Sequence, residues 1–144
     1  MATSTTIANI HSDIITALSN EFPEFLEIGD YEELNDAPNT PSLFINLQSF
    51  DPIADQLPDD FAVTGAFEAY IFYPVQDDIL TKKALREKAL EVATFVQGNF
   101  WGNPDVFSEA KFKLAEKDEF SPVYEGVNIW RVDWEQDFYI KKGD

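Results

Sequence analysis

The sequence contains no cysteine, which excludes disulfide bonds, thiolate metal sites and a cysteine nucleophile. Its single histidine, His11, has no serine–aspartate partner near it in the sequence, so neither a catalytic triad nor a histidine metal site is indicated. The six glycines are scattered, and they form no phosphate-binding loop. We therefore expect no catalytic residue, no metal site and no cofactor, and a structural or surface role for His11.

Basic residues are missing from the first half of the chain. No Lys or Arg precedes Lys82, whereas residues 1–81 carry fifteen of the 27 acidic residues, and the formal net charge is -17. Such a field repels phosphate backbones and anionic lipids, so we expect neither direct nucleic-acid binding nor a membrane partner. The charge suits a basic protein partner or divalent counterions, and it can equally serve solubility alone.

Long apolar runs are missing too. No stretch reaches the roughly 18 apolar residues that span a membrane. Residues 1–9 lack the basic region and the apolar run of a signal peptide. The absence of cysteine fits a reducing cytosol, although it does not establish one.

What the chain does have is enough apolar side chain for one core. It is 144 residues long and 44% hydrophobic, with thirteen Phe, five Tyr and three Trp. This length is typical of one domain, so we expect a single domain over residues 1–144.

Two helices are predicted from the 3.6-residue period. The first covers residues 5–22, where an apolar stripe ends before Pro23. The second covers residues 78–98 and ends at Gly98. Its outer face is the main positive patch of the chain, formed by Lys82, Lys83, Arg86 and Lys88.

Apolar alternation predicts the strands. They cover Phe25–Gly29, Ser42–Phe50, Phe61–Tyr73, Ala110–Leu114 and Val127–Ile140, with polar loops at 35–40, 51–60 and 116–126. The order α-β-β-β-α-β-β predicts an α+β fold, with a mainly antiparallel sheet of four to five strands and two helices on one face.

Three local features carry further expectations. Gly65 predicts a bulge in the long third strand. The same strand is apolar on both faces at Tyr70 and Phe72, so its second face must be covered by another part of this chain or by a neighbour. Two aromatic residues follow the second helix, Phe100 and Trp101. We expect them to close one end of the core rather than to bind a ligand.

The outward face of the last strand is charged, and it has two interpretations. In one it is a solvated face, or a sheet edge guarded by charge. In the other it forms ion pairs with the basic helix of a neighbouring subunit, a head-to-tail contact of the kind that closes rings. The candidate interface then comprises Lys82, Lys83, Arg86, Lys88, Arg131, Asp133, Glu135 and Asp137.

Acidic residues cluster in two loop regions, around Glu32–Thr40 and Asp51–Asp60. Glycosidase or nuclease acids need fixed positions in a cleft, whereas these lie among prolines, so solvated loops are favoured over catalysis or divalent-ion binding. Long loops on a rigid sheet commonly carry function, so we expect these acids to face a partner. They are Glu32, Glu33, Asp36, Asp51, Asp55, Asp59 and Asp60.

Three stretches carry a resemblance to a known family. The first is an amphipathic helix running into a proline turn, IANIHSDIITALSNEFPEF. The second comprises PNTPSLFINLQSF and GAFEAYIFYPV, before the second helix; the third is a polar connection, EKDEFSPVYEGVNIW, that enters the strand IWRVDWEQDFYI. In pattern and order, this layout resembles the tail terminator family of long-tailed phages, especially the Mu-like branch of contractile-tailed phages.

The resemblance implies a subunit of a homohexameric ring. Such a ring sits on the last ring of the tail tube, halts tube polymerisation and presents the surface that joins the head. Its partners would be further copies of itself, the tail tube protein, a neck or connector protein and, in contractile tails, the sheath protein. The protein would belong to the virion tail and assemble in the bacterial host cytoplasm. The family has no catalytic residues, so the resemblance assigns none.

Other interpretations stay open at this point. A head–tail connector or neck protein shares the size and the α+β character. An acidic inhibitor or regulatory protein would use the net charge to bind a basic partner. A small hydrolase that uses the acidic loops is weaker, because the sequence supplies no nucleophile, base and orienting residue together.

Overall fold

The computed structural model describes residues 2–34, 39–53, 61–74, 79–117 and 127–140, with side chains for all of these except 2–5, 79–81 and 127. A short 3-10 helix, Tyr31–Glu33, follows the first strand. The helices and strands are α1 (Ala2–Glu21), β1 (Glu27–Asp30), β2 (Ser42–Pro52), β3 (Phe61–Pro74), α2 (Ile79–Val96), β4 (Lys111–Lys117) and β5 (Val127–Ile140).

The five strands form one mixed sheet in the order β1-β2-β3-β5-β4. The pair β1–β2 is parallel, and the other three pairs are antiparallel. The predicted α+β class, element order and mainly antiparallel sheet are confirmed. β1 and β4 are the two edges, and β5 lies between β3 and β4.

One face of the sheet carries both helices and the main core. In the register, Phe67 of β3 lies opposite Trp134 of β5, and the two rings stack with centroids 5.5 Å apart. Because side chains alternate along a strand, the residues two positions away face the same side. Ile14 of α1 and Val92 of α2 are fully buried in this same cluster. The helices therefore share one side of the sheet, as the sequence predicted.

A smaller apolar cluster covers part of the other face. It contains Tyr70 and Phe72 of β3 with Phe44 and Ile129. The ring of Tyr31, from the 3-10 helix, stacks on Tyr70 with centroids 4.3 Å apart. The cover that the sequence required for Tyr70 is thus supplied within the chain.

The predicted bulge at Gly65 is wrong. β3 pairs without interruption through Gly65, and the irregularity lies in β2, between Leu47 and Ser49. A Cβ atom at Gly65 would lie 2.8 Å from the ring of Phe138, 2.9 Å from Phe67 and 3.0 Å from Leu47. Glycine is needed there because core side chains already fill the space that a Cβ would take.

Two predicted loop boundaries are also wrong. β2 continues through Asp51 and Pro52, which pair with Thr64 and Val63 of β3. β4 continues to Lys117, which pairs with Trp130 of β5. In both cases the long neighbouring strand supplies pairing partners beyond the point where the apolar alternation ends.

The segment after α2 closes one end of the core. Trp101 is buried there, and its ring contacts both Phe95 and Trp134. Phe100 is exposed. The predicted aromatic plug is therefore confirmed for Trp101 and wrong for Phe100.

Candidate subunit interface

The basic residues predicted on the second helix separate into two groups. Lys82, Lys83 and Arg86 are exposed on α2. Lys88 is mostly buried; its ammonium group pairs with the carboxylate of Glu24 and lies 5.5 Å from the centre of the Phe22 ring. Lys88 therefore ties α2 to the turn after α1, whereas the other three remain at the surface.

The Lys88–Glu24 pair shifts the titration of both groups. The hydrogen bond from Lys88 lowers the pKa of Glu24 from its ordinary value of 4.5. Burial favours the neutral form of Lys88, but the hydrogen bond to Glu24 and the charges of Glu24 and Glu91 outweigh it and raise the pKa of Lys88 from 10.5. Both shifts favour the charged pair at neutral pH.

Arg131 is the centre of an ion-pair network on the face of the sheet opposite the helices. Its Nε and one terminal nitrogen donate to the two carboxylate oxygens of Asp133 at 2.8 and 3.0 Å. Carboxylate oxygens of Glu68 and Glu116 each lie 3.6 Å from its guanidinium. The hydrogen bonds to Asp133 are the main reason why the pKa of Arg131 is raised.

Glu68 is the buried member of this network, with 5% of its surface exposed. Its carboxylate accepts hydrogen bonds from the Tyr70 hydroxyl at 2.8 Å and from the Asn46 amide at 3.2 Å. Sequence reasoning did not assign Glu68 a role. The available signal was its position as the one acidic residue within a long apolar strand.

The remaining charged residues of β5 also have partners within the chain. Glu135 pairs with Lys113 of β4 at 3.2 Å, and Asp137 accepts from the Thr64 hydroxyl at 2.5 Å. Because β5 lies between β3 and β4, the interpretation of its charges as an edge guard is wrong. The contact between these residues and a basic helix of a neighbour stays a prediction.

The structure describes three of the seven predicted partner-facing acids. Glu32 and Glu33 are exposed on the 3-10 helix, where the Glu32 amide donates to the Asp30 carboxylate at 3.0 Å. Asp51 is exposed at the end of β2. Asp36, Asp55, Asp59 and Asp60 lie outside the described residues.

His11 connects the first helix to the edge of the sheet. Its Nδ1 lies 2.8 Å from an Asp30 carboxylate oxygen, and its ring packs edge-on to Phe67. The contact links the short β1 strand to α1; the sequence had predicted a structural or surface role for His11.

The sequence did not reveal an open groove between α2 and β4. The groove has a volume of 270 Å³, and its apolar lining comprises Ala89, Leu90, Ala93, Phe112, Ala115 and Trp130. Leu90 is 61% exposed and Phe112 is 39% exposed. A neighbouring groove of 540 Å³ shares Arg86, Ala115 and Trp130 and adds Lys82, Lys83 and Lys117 together with one acid, Glu116, whose carboxylate lies 3.6 Å from Arg131. Side chains that are up to 48 positions apart in the sequence, from Lys82 to Trp130, thus form one surface with an apolar floor and a basic end.

Comparisons with known proteins add no family. Models of known protein families do not match the chain, and a search of curated proteins finds no significant match. Within the described ranges, no group of three or more His, Asp or Glu side chains is arranged to hold a metal ion. No helix of that part of the chain is long and apolar enough to cross a membrane.

Proposed function

We propose that this protein is a structural subunit of a phage tail, a terminator that forms a ring on the end of the tail tube. The ring stops tube polymerisation and provides the surface that joins the head. The resemblance in element order suggests six subunits, with the tube protein, a neck or connector protein and a sheath protein as partners. Its place is then the virion tail, with assembly in the host cytoplasm.

The opposite charges of the two sheet edges carry this proposal. The β1 edge and the 3-10 helix carry Glu27, Glu32 and Glu33, all exposed, and no Lys or Arg occurs in that half of the chain. The β4 edge carries Lys111, Lys113 and Lys117 and one acid, Glu116, which pairs with Arg131. Unlike surfaces at opposite ends of one subunit favour head-to-tail contacts, and such contacts generate rings when the rotation closes.

The net charge supports the same proposal. A ring at the end of a tail tube surrounds a channel through which DNA passes. A subunit with a net charge of -17 repels phosphate, so it lets DNA slide without binding it. The exposed carboxylate of Asp51, at the end of β2, is the described acid that we assign to the surface facing the tube or neck.

The test is imaging and mass measurement of the purified protein, alone and with polymerising tail tube protein. We expect sixfold rings with a central hole, and tubes that stop growing when the protein is added. Asp51→Lys is expected to weaken tube capping without changing the ring, whereas Thr16→Lys, on the exposed side of α1, serves as the control. Twelvefold rings would indicate a connector, and a monomer that binds only basic proteins would indicate an inhibitor.

A further inference from the structure

The two oppositely charged edges cannot meet within one chain. They lie at the two ends of a five-stranded sheet, so about 19 Å separates β1 from β4 at the usual strand spacing. Any contact between the acidic and basic edges must therefore join two copies of the chain.

The basic edge is shaped to receive an apolar side chain as well as carboxylates. The groove between α2 and β4 has an apolar floor, on which Leu90 and Phe112 are exposed. Its basic end carries four cations, Lys82, Lys83, Arg86 and Lys117, and one acid, Glu116, which pairs with Arg131 of the same chain. The surface needs a partner segment that has an exposed apolar residue next to several acids.

The acidic edge of the same protein supplies such a segment. Leu26, just before β1, is 69% exposed, which is more than any other large apolar side chain among the described residues. Glu27 follows it directly, and Glu32 and Glu33 lie in the 3-10 helix that follows β1. Apolar side chain and carboxylates are thus adjacent on one edge, as the groove on the other edge requires.

We infer that the groove between α2 and β4 binds the β1 edge of a second copy, with Leu26 on the apolar floor and Glu32 and Glu33 against the basic end. This inference rests on the proposed ring and names the surfaces that build it. It assigns Glu32 and Glu33 to the contact between subunits and leaves Asp51 for the tube or neck. The sequence suggested the charged residues of β5 as the partner of the basic helix, but these residues are paired within their own chain. The inference assigns that contact to the β1 edge instead.

Charge reversal of each edge tests the inference. In Glu32→Lys/Glu33→Lys both edges are basic, and in Lys83→Glu/Lys117→Glu both are acidic. We expect each variant alone to self-associate about 100-fold more weakly than the original protein, because like charges now face each other. An equimolar mixture of the two is expected to assemble again, since each basic edge then meets an acidic one.

The mixture also controls for folding, because misfolded chains would not recover. A chain with four added lysines on the exposed side of α1, Ser12→Lys, Thr16→Lys, Ser19→Lys and Asn20→Lys, changes the charge as much as Glu32→Lys/Glu33→Lys does and is expected to assemble normally. Leu26→Ala should weaken association about tenfold, whereas Phe100→Ala, also an exposed apolar residue, should not.

Sedimentation and native mass measurement report the result. Rings that persist in both charge variants would overturn the edge contact while leaving the terminator proposal intact. A mixture that stays monomeric would overturn it as well, as would an original protein that is monomeric at low salt. Recovery in the mixture combined with failure to stop tube growth would support the edge contact and contradict the proposed function.

Discussion

At the scale of single residues, Gln136 shows how a polar side chain stabilises the interior. Its amide accepts from the indole nitrogen of Trp101 at 2.7 Å and donates to the carbonyls of Asn99 and Ser108 at 2.8 and 3.0 Å. These three hydrogen bonds hold the segment after α2 against β5. Trp101 needs that support, because its backbone has a positive φ of 63°, which side-chain-bearing residues rarely adopt.

We expect Gln136→Leu to lower the free energy of unfolding by about 2–4 kcal/mol, because it leaves a buried indole N–H and two carbonyls without their partner. Gln48→Leu is the matched control, since Gln48 is exposed in the irregular part of β2 and should change stability by less than about 0.5 kcal/mol. Urea unfolding followed by tryptophan fluorescence measures both. Equal effects of the two substitutions would contradict the role given to Gln136.

At the scale of elements, the Lys88–Glu24 pair holds α2 to the turn after α1. The pKa of Glu24 is lowered, so its contribution to stability is present above about pH 4.5 and is lost as the pH falls through the folded-state pKa. The pKa of Lys88 is raised, so its contribution is present below about pH 10.5 and is lost at higher pH. The pair therefore stabilises the helix contact across the neutral range.

Lys88→Met should lower the free energy of unfolding at pH 7 by less than about 1 kcal/mol, because Glu24 is partly exposed and solvent screens the pair. The difference from the original protein should shrink as the pH falls below about 4.5 and through the lowered pKa of Glu24, and it should also shrink at high salt. Lys83→Met is the control, because Lys83 is exposed on the same helix. Thermal unfolding over a pH series is the measurement, and a loss that does not depend on pH would assign the effect to packing on Phe22 alone.

The elements also show what the sequence could and could not predict. The alternation of Trp130, Val132 and Trp134 identified both faces of β5, because side-chain direction follows directly from the two-residue period. It did not identify the neighbours of β5, since strand order depends on contacts that are distant in sequence. β4 pairs antiparallel with β5 and forms one edge of the sheet; the register shifts between Phe112 and Leu114, and both of these apolar residues are exposed.

The candidate interface was predictable only in part. The charge split along the chain is visible in the sequence, and it led to the basic residues of α2. The groove beside them was not visible, because it needs Leu90 of the helix and Phe112 of the strand to come together. The internal pairing of Arg131 with Asp133 also depends on side-chain geometry, which a list of charges does not contain.

At the scale of the whole molecule, the net charge of -17 acts on folding and on assembly in opposite ways. Within one chain most pairs of charges repel, so screening by salt should stabilise the folded state. Between copies, the proposed contact joins opposite charges, so the same screening should weaken it. Changing the salt concentration therefore separates the effect of charge on folding from its effect on association.

Leu26→Ala is suited to the folding measurement because it weakens association. When salt rises from about 0.01 M to about 0.1 M, the screening length falls from about 30 Å to about 10 Å. We expect the unfolding temperature of this variant to rise by about 2–4 °C over that interval. The original protein should associate more weakly over the same interval. Calorimetry and sedimentation in the same buffers give the two readings. If stability and association changed in the same direction, the assignment of attraction to the edges and repulsion to the rest of the molecule would be wrong.

The lysines of β4 have a consequence for the route by which copies meet. Two β4 strands placed side by side would bring Lys111, Lys113 and Lys117 of one chain against the same ammonium groups of the other, and two β1 edges would oppose Glu27, Glu32 and Glu33 in the same way. Twofold dimers through either edge are therefore disfavoured. Every copy then joins in the same head-to-tail orientation, and twofold dimers do not compete with the growing assembly. An incomplete ring has one acidic end and one basic end, so each end attracts a further copy, and the two ends attract each other.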